Sequence, residues 1–459
     1  MTDVAEALHA LRGMLDPRVV LSDLDLMASY VHDEAEWAPY EMPMAVVRVR
    51  SAADVQIVVR WALEHRIPVV ARGAGTGLSG GANSLAGCVV ISLDQLNAVR
   101  EVNPLERLAV AEPGVINDDL RKAVAEHGLW YPPDPASSPW STIGGNVATN
   151  AGGMCCVKYG VTRDYVRELQ VVTGTGDIVR LGRRTAKGVS GLDLMSLFVG
   201  SEGTLGIITE ITVRLLPLPD PGHTVIGYFD DLVAAGEAVR AVALCGLTPA
   251  ALELVDRTTL EAVDEYAHLG IGAEANVVLI GRIDDGGEAG SAGALAMREV
   301  FAAAGATFTA EAADAEEAEA MMAARRLAYP ALERLGEVLT EDVCVPKAAV
   351  PQMLQDVADI GIRHDIRIAN IAHAGDGNLH PLMLIERGDV AAKERAQLAF
   401  TAIIDAALAA GGTVTGEHGV GLLKRPGMER ELGPQVLAMQ RAVKAALDPH
   451  GILNPGKAV

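Results

Sequence analysis

The chain has 459 residues, half of them apolar and 21% charged, and its 38 Lys and Arg against 60 Asp and Glu give a formal net charge of −22. Nucleic acids and anionic membranes are bound mainly through clustered basic side chains, so we expect neither as a partner. At roughly 100–200 residues per domain, this length predicts two or three globular domains.

The N-terminus predicts an amphipathic helix rather than a targeting peptide. Val4, Leu8, Leu11 and Leu15 recur at helical spacing, and acidic residues stand where a secretory signal would be basic. No apolar run approaches the roughly 18 residues that a membrane-spanning helix needs. The five cysteines are scattered and include no CxxC pair. We therefore expect a cytoplasmic protein without a transmembrane segment.

A glycine-rich loop follows the first clear strand of the chain. The strand 67–70 runs into residues 73–81, of which five are glycine, and Gly75, Gly77 and Gly80 satisfy G-x-G-x-x-G. A nicotinamide-binding Rossmann site would open a helix at the last glycine, but a second strand, 89–93, comes next instead. The loop is therefore predicted to bind a phosphate through its unobstructed backbone N–H groups.

Two further regions in the first half combine glycines with hydroxyl and amide side chains. The first covers residues 131–153 and the second residues 198–208, after a strand predicted at 168–172. Each region alone is typical of loop architecture, but three in one half of the chain favour a single extended ligand. Three prolines and a glycine in residues 215–222 then mark a domain boundary.

Strand-like and helix-like segments alternate beyond this boundary. They are predicted at 224–228, 233–245, 276–283, 292–304 and 311–329, and the acidic stretch 311–319 is interpreted as the solvated face of a helix.

The order of the glycine-rich motifs resembles a known family. ARGAGTGLSGGA, then PPDP with TIGGNVATNAGG, then LFVGSEGTLGIITE are similar to the FAD-binding PCMH-type domain of vanillyl-alcohol-oxidase-like flavoproteins. Within them, the chain from about residue 40 to its end resembles the branch of glycolate oxidase subunits, D-lactate dehydrogenases and D-2-hydroxyglutarate dehydrogenases. This implies an α+β fold: a two-subdomain FAD-binding domain at 1–219, an α+β substrate (cap) domain with an antiparallel sheet at 220–412, and a C-terminal segment, 413–459, that returns to the FAD domain.

The resemblance also implies which residues contact FAD. No histidine occurs between Arg72 and Gly81 to carry a covalent link, so the expected flavin is noncovalent. The residues that match the family's flavin site are Arg72, Gly73, Ala74, Gly75, Thr76, Gly77, Ser79, Gly80, Pro135, Ser138, Gly144, Gly145, Asn150, Gly152, Glu202, Gly203, Ile208 and Asn454.

The most specific chemical signal is a predicted β-hairpin that carries two histidines. Apolar runs flank Asp376-Gly377, a dipeptide typical of two-residue turns. With that turn, His373 would lie directly opposite His380, on the same face of the sheet. Both imidazoles could then reach one metal ion at about 2.0–2.1 Å.

A third metal ligand is predicted in Gly416-Glu417-His418-Gly419. Neighbours in an extended segment point in opposite directions, so Glu417 and His418 should have different roles. The family resemblance implies that His373, His380 and Glu417 hold a divalent metal and that His418 is the base. This donor set suits Zn²⁺, Mn²⁺ or Fe²⁺, of which we prefer the first two. A structural zinc is disfavoured because structural sites are usually closed and cysteine-rich.

Four more residues are predicted to contact the substrate. A carboxylate is recognised best by a bidentate arginine, and Arg325 matches the family's substrate-carboxylate arginine. Tyr329 lies one turn further on, Lys347 is a weaker candidate, and Asn378 is expected to face the substrate. The implied reaction is oxidation of a D-2-hydroxy acid, in which the metal acidifies the hydroxyl, His418 takes its proton and hydride passes to flavin N5.

Alternatives remain open at this point. The same fold could oxidise a different alcohol, or the chain could be the flavin subunit of a glycolate-oxidase-like complex. The predicted electron acceptor is an electron-transferring flavoprotein, a cytochrome, a quinone or oxygen, and a homodimer is an expectation from the family.

Overall fold

The computed structural model describes residues 4–35, 37–268 and 275–458. Its strands are β1 (Val20–Leu21), β2 (Ala45–Arg48), β3 (Val69–Arg72), β4 (Val89–Ser92), β5 (Val99–Asn103), β6 (Leu108–Ala111), β7 (Leu129–Trp130), β8 (Val166–Thr173), β9 (Ile178–Gly182), β10 (Gly206–Arg214), β11 (Leu216–Pro217), β12 (His223–Phe229), β13 (Ala251–Asp256), β14 (Val277–Ile283), β15 (Phe308–Glu311), β16 (Glu337–Thr340), β17 (Val343–Cys344), β18 (Arg367–His373) and β19 (Asn378–Ile385).

The α-helices are α1 (Val4–Met14), α2 (Leu24–Met27), α3 (Ala52–His65), α4 (Asn117–Ala125), α5 (Ile143–Thr149), α6 (Cys156–Tyr159), α7 (Met195–Phe198), α8 (Leu232–Leu244), α9 (Arg257–Ala267), α10 (Gly287–Ala303), α11 (Ala315–Arg326), α12 (Ala328–Glu333), α13 (Val350–His364), α14 (Val390–Ala409) and α15 (Arg425–Leu447). Helix α15 is broken at Gly433, which has φ 70° and precedes Pro434. Among the described residues, no helix has the length and apolarity needed to cross a bilayer.

The chain divides into two units. Unit 1 comprises the described residues up to 152, residues 161–218 and the described residues from 417 on, whereas unit 2 comprises residues 153–160 and the described residues between 219 and 416. The short excursion 153–160 was not anticipated from the sequence, which left these residues in the first domain. The segment proposed to return to the first domain, 413–459, differs from the observed unit by four residues at its start.

Unit 1 contains two larger sheets. One has the order β1-β2-β4-β3, with β2, β4 and β3 parallel, and the other has the antiparallel order β5-β6-β10-β8-β9. Strand β4 is buried throughout, as expected for a parallel sheet that is covered on both faces. The predicted strands at 67–70, 89–93 and 168–172 are confirmed as β3, β4 and β8.

Unit 2 is built on an antiparallel sheet of eight strands. Its order is β15-β12-β14-β13-β18-β19-β16, and β17 also pairs with β19. The central strand β13 has six buried residues. This sheet and the mixed content of helix and strand are the α+β architecture that the sequence predicts.

One element of unit 2 was predicted wrongly. Residues 311–329 do not form one helix, because Glu311 ends β15, where it pairs with Val225 of β12. Helix α11 begins only after Asp314, whose carboxylate accepts hydrogen bonds from the N–H groups of Glu316 and Glu317. This N-terminal cap defines the start of the helix, which the acidic composition alone did not.

Candidate functional site

The glycine-rich loop of unit 1 leaves the carboxyl end of β3. Among the described residues 73–88 there is no helix, which confirms that the Rossmann context is missing. Gly75 and Gly80 have φ of 83° and 80°, which are conformations that glycine adopts without strain.

The backbone of this loop is suited to bind an anion. Within the described chain, no N–H group of residues 73–81 donates a hydrogen bond to another residue. Nine consecutive donors without a protein acceptor are unusual, because backbone N–H groups in folded proteins are nearly always paired. Such donors can bind a phosphate, so the loop fits the pyrophosphate of a dinucleotide such as FAD.

The loop is held from the outside by side chains of unit 1. The Arg72 guanidinium donates to the backbone oxygens of His32 and Ser29, at 2.7 and 3.1 Å. The Asp33 carboxylate accepts from the N–H groups of Ala35 and Ala82, and burial raises the pKa of Asp33. The side chain of Arg72 thus supports the loop, which leaves the backbone that follows it for a ligand.

We expect alanine at Gly80 to lower FAD affinity by about 10- to 100-fold. A Cβ at this position would lie 2.6 Å from the Cβ of Ala38 and 3.3 Å from the Cβ of Leu422, so the loop must shift. Overpacking of this kind costs about 1–3 kcal/mol, and each 1.4 kcal/mol is tenfold in affinity. Titration of the apoprotein with FAD, followed by flavin fluorescence, measures the change.

Gly87→Ala is the matched control, because Gly87 lies in the same loop with φ 69° and a Cβ there has no atom within 4 Å. It should carry a similar backbone strain of about 1–2 kcal/mol but keep its FAD affinity. An equal loss of affinity in both variants would contradict the steric explanation.

The second region forms a short capped helix. The Thr142 hydroxyl accepts a hydrogen bond from Gly145 N–H at the start of α5, and Asn150 ends the helix with φ 55°. A side chain at Gly144 would overlap Pro113, so only glycine fits there. Pro135 and Ser138 form a turn before the helix, closed by Ser138 N–H to Pro135 O at 2.7 Å. Of the other predicted flavin residues, Gly152 follows α5, Gly203 follows Glu202 and Ile208 lies in β10.

Glu202 joins the third region to the C-terminal segment. Its carboxylate accepts from the N–H groups of Val420 and Gly421, at 2.7 and 2.9 Å. Burial raises the pKa of Glu202 to about 7, although these two donors act in the opposite direction. The Glu202 side chain therefore binds protein backbone, so its expected part in a flavin site would be indirect.

Two residues near the C-terminus contact the glycine-rich loop. The Asn454 amide donates to the backbone oxygens of Gly81 and Glu202, at 2.9 and 2.7 Å. The fully buried Lys457 donates to the backbone oxygens of Gly81 and Asn83, and burial lowers the pKa of Lys457 to about 8. Sequence reasoning found Asn454 but missed Lys457, since most lysines are solvated.

In unit 2, the histidine hairpin forms with a register that differs from the predicted one. His373 pairs with Asn378, and His380 pairs with Ile371, so the predicted direct pairing of His373 with His380 is wrong. The loop has four residues, 374–377, rather than two. It is tied to neighbouring strands by Gly375 N–H to Leu252 O and Val345 N–H to Gly377 O, both at 3.0 Å.

The two histidines nevertheless lie side by side. A change of two positions preserves the face of a strand, and diagonal neighbours remain within reach of long side chains. The rings of His373 and His380 are perpendicular, with centroids 5.1 Å apart, and both residues are buried.

Buried acidic residues contact both imidazoles. His373 Nδ1 lies 2.8 Å from Oε2 of Glu253, within hydrogen-bond distance, whereas His380 Nδ1 lies 3.6 Å from Oδ1 of Asp342, which is too far for a hydrogen bond. A carboxylate at Nδ1 directs Nε2 of a histidine towards a metal, as is common at metal sites. Sequence reasoning missed Glu253, although a carboxylate in the apolar strand ALELVD was a usable signal.

The predicted substrate residues of unit 2 differ in their surroundings. Arg325, at the end of α11, is buried, and its Nε lies 2.8 Å from Glu253. Asn378 is buried, and its amide oxygen has no hydrogen-bond partner among the described residues. Tyr329, in α12, is half-buried against the apolar core of unit 2. Lys347 is exposed, so its proposed role gains no support here.

Glu417 and His418 are the first two residues of the C-terminal segment of unit 1. The end of unit 2 just before them is fixed: Thr415 donates to the Asp342 carboxylate at 2.6 Å, and Gly416 N–H donates to Asp342 O at 3.1 Å. On the unit 1 side, the Ser79 hydroxyl donates to the backbone oxygen of His418 at 3.2 Å.

Comparisons with known proteins identify the family. Residues 43–182 match the FAD binding domain, and residues 218–458 match the C-terminal domain of FAD linked oxidases. The chain is 41% identical to the glycolate oxidase subunit GlcD of Bacillus subtilis, over 91% of this chain and 89% of that relative. It is 34% identical to a D-lactate dehydrogenase of Anaerostipes hadrus, over 98% and 97%. The chain belongs to the FAD-linked oxidase family and is an FAD-dependent oxidoreductase.

A solved structure agrees on the fold. Substrate-bound p-cresol methylhydroxylase matches with a TM-score of 0.82 and 20% identity, over 99% of this chain and 96% of that one. The predicted vanillyl-alcohol-oxidase type is thereby confirmed, and at this identity the likeness concerns the fold alone.

Proposed function

We propose that this protein oxidises a D-2-hydroxy acid of the lactate, 2-hydroxyglutarate or glycolate class to the 2-oxo acid, with a noncovalently bound FAD. The observation that carries the proposal is the buried cluster of His373, His380 and Arg325 in unit 2. It combines donors for a metal with a guanidinium for a carboxylate. Two relatives, a glycolate oxidase subunit and a D-lactate dehydrogenase, support the same substrate class by their names.

The proposed metal ligands are His373, His380 and Glu417. The two imidazoles are buried, and the Glu253 carboxylate at Nδ1 of His373 directs that residue to present Nε2, so these residues fit a divalent ion such as Zn²⁺ or Mn²⁺. Glu417 directly follows the segment that is hydrogen-bonded to Asp342. A divalent ion with open positions would supply Lewis-acid chemistry to a hydroxyl group.

The remaining steps belong to residues of this chain. Arg325 would bind the substrate carboxylate, and the amide oxygen of Asn378 would accept a hydrogen bond from the substrate. His418 would accept the hydroxyl proton at an imidazole nitrogen. Bound FAD supplies the two-electron acceptor.

The proposal extends to the location, the electron acceptor and the assembly of the protein. All five cysteines are free thiols, which supports a cytoplasmic location. The relative named as a glycolate oxidase subunit supports a role within a complex. The proposed electron acceptor is an electron-transferring flavoprotein, a cytochrome or a quinone. A homodimer remains a proposal from the family resemblance.

The proposal is tested by the visible spectrum of the anaerobic holoprotein. We expect D-lactate, D-2-hydroxyglutarate or glycolate to bleach the oxidised-flavin band, because hydride transfer reduces FAD. The L-enantiomers of the two chiral acids are the matched controls and should leave the band unchanged. A yellow protein that none of these acids bleaches would refute the substrate class. Bleaching without turnover until a partner protein is added would favour the complex subunit.

A further inference from the structure

A single buried carboxylate connects the two proposed functions of unit 2. Glu253 lies in the central strand β13, and its side chain is 0% exposed. Its two oxygens lie 2.9 and 2.8 Å from His373 Nδ1, and Oε2 also lies 2.8 Å from Arg325 Nε. The proposed metal ligand and the proposed substrate arginine therefore share one partner.

Glu253 is a charged residue among apolar neighbours in the strand. Glu253 stands between Leu252 and Leu254, and its strand partner in β14 is Ile280. Burying an ion pair contributes little net stability, and apolar residues of similar volume often replace one at no cost. A carboxylate in this strand centre therefore indicates a role in orienting its two partners.

Glu253 contacts one nitrogen atom of His373 and one nitrogen atom of Arg325. The carboxylate requires a proton on His373 Nδ1, so the lone pair that a metal would bind is on Nε2. Arg325 forms an ion pair with Glu253 through Nε at 2.8 Å without hydrogen-bond geometry, and neither of its Nη groups forms a hydrogen bond within the described chain. Those two groups retain the paired donors that recognise a carboxylate.

We propose that Glu253 is a positioning residue that aligns His373 for the metal and Arg325 for the substrate carboxylate. This inference rests on the proposed function. Because one side chain serves both, its loss must weaken both interactions, whereas a role in only one of them would leave the other intact.

Glu253→Gln tests this proposal. The amide retains the shape but replaces one acceptor oxygen with a donor. We expect the chelator-treated holoprotein to bind Zn²⁺ about 10- to 100-fold more weakly, as is usual when the outer partner of a ligating histidine is lost. At saturating Zn²⁺, the KM for the acid that bleaches the flavin should rise about 10- to 100-fold, the loss typical of a charged hydrogen bond, and by more than kcat falls.

Asp256→Asn is the matched control, because Asp256 is a buried carboxylate on the same strand. It accepts hydrogen bonds from Thr259 and Asn370, and it contacts neither His373 nor Arg325. This variant should lower thermal stability and leave Zn²⁺ affinity and KM unchanged. Glu253→Asp keeps the charge on a shorter side chain and should restore part of the Zn²⁺ affinity and part of the KM. If Glu253→Gln does not fold, Glu253→Asp tests the shared role in its place.

A spectroscopic measurement separates orientation from stability. In metal-free protein with ¹⁵N-labelled histidine, the His373 signal, identified by its loss in His373→Ala, should show the proton on Nδ1, and Glu253→Gln should change that tautomer. Unchanged Zn²⁺ affinity, unchanged KM or an unchanged tautomer in Glu253→Gln would overturn the shared role. If the wild type neither binds Zn²⁺ nor is reduced by any acid, the proposed function itself fails.

Discussion

Replacing His418 with alanine is expected to slow flavin reduction by the acid substrate by about 10²- to 10⁴-fold, the usual contribution of a general base. FAD content and Zn²⁺ content should remain near those of the wild type. His418 is next to the proposed ligand Glu417 but is not one of the three proposed metal ligands, all of which remain in this variant. The hydrogen bond from Ser79 is made to the backbone oxygen of His418, so it does not depend on the imidazole.

Stopped-flow mixing under anaerobic conditions measures this rate directly. His450→Ala is the control, since His450 is an exposed histidine of the same unit and should reduce at the wild-type rate. A His418→Ala protein that reduces as fast as the wild type would exclude the role as base. One that loses its metal would instead make His418 a ligand.

The parts of the fold that the sequence predicted are those encoded locally. The high glycine content of residues 73–81 predicts the loop after β3. A backbone that turns its N–H groups towards a ligand needs residues at positive φ, such as Gly75 and Gly80. The domain boundary at residues 215–222 was also predicted from the sequence, because proline cannot continue a helix or a central strand. The histidine face of the hairpin was predicted correctly for a related reason, since side chains alternate along any strand.

The features that the sequence did not predict depend on contacts between residues that are far apart along the chain. The hairpin register was off by two positions because Leu252 and Val345 hold a four-residue loop where Asp376-Gly377 alone predicts a two-residue turn. Glu253 is 120 residues from His373, and Lys457 is more than 370 residues from the loop whose oxygens it binds. Both are charged residues whose burial only the folded structure reveals.

The same reasoning explains why Arg325 was recognised without its partner. A short motif identifies a guanidinium near the end of a helix, but it cannot show which carboxylate will hold it. The structure supplies Glu253, and with it a reason for the arginine to be both buried and oriented. The sequence thus predicted the groups that would touch a ligand better than the groups that align them.

Replacing His373 with alanine is expected to abolish Zn²⁺ binding and substrate-dependent flavin reduction together. A first ligand should cost more than the 10- to 100-fold that is typical of an outer partner, so the loss should exceed that of Glu253→Gln. The fold should persist, since Glu253 remains paired with Arg325. Metal analysis and anaerobic reduction, on the same FAD-loaded preparation, measure both properties.

His223→Ala provides a control of the same chemical kind. His223 also lies in the sheet of unit 2 and places its Nδ1 2.6 Å from a carboxylate, that of Glu311. If metal and activity depended merely on the integrity of His–Glu pairs in this sheet, the two variants would behave alike. Full metal occupancy and a wild-type rate in His373→Ala would exclude the hairpin as a metal site. If His373→Ala lost flavin reduction but retained Zn²⁺, the metal site would lie elsewhere, and His373 would act on the substrate itself.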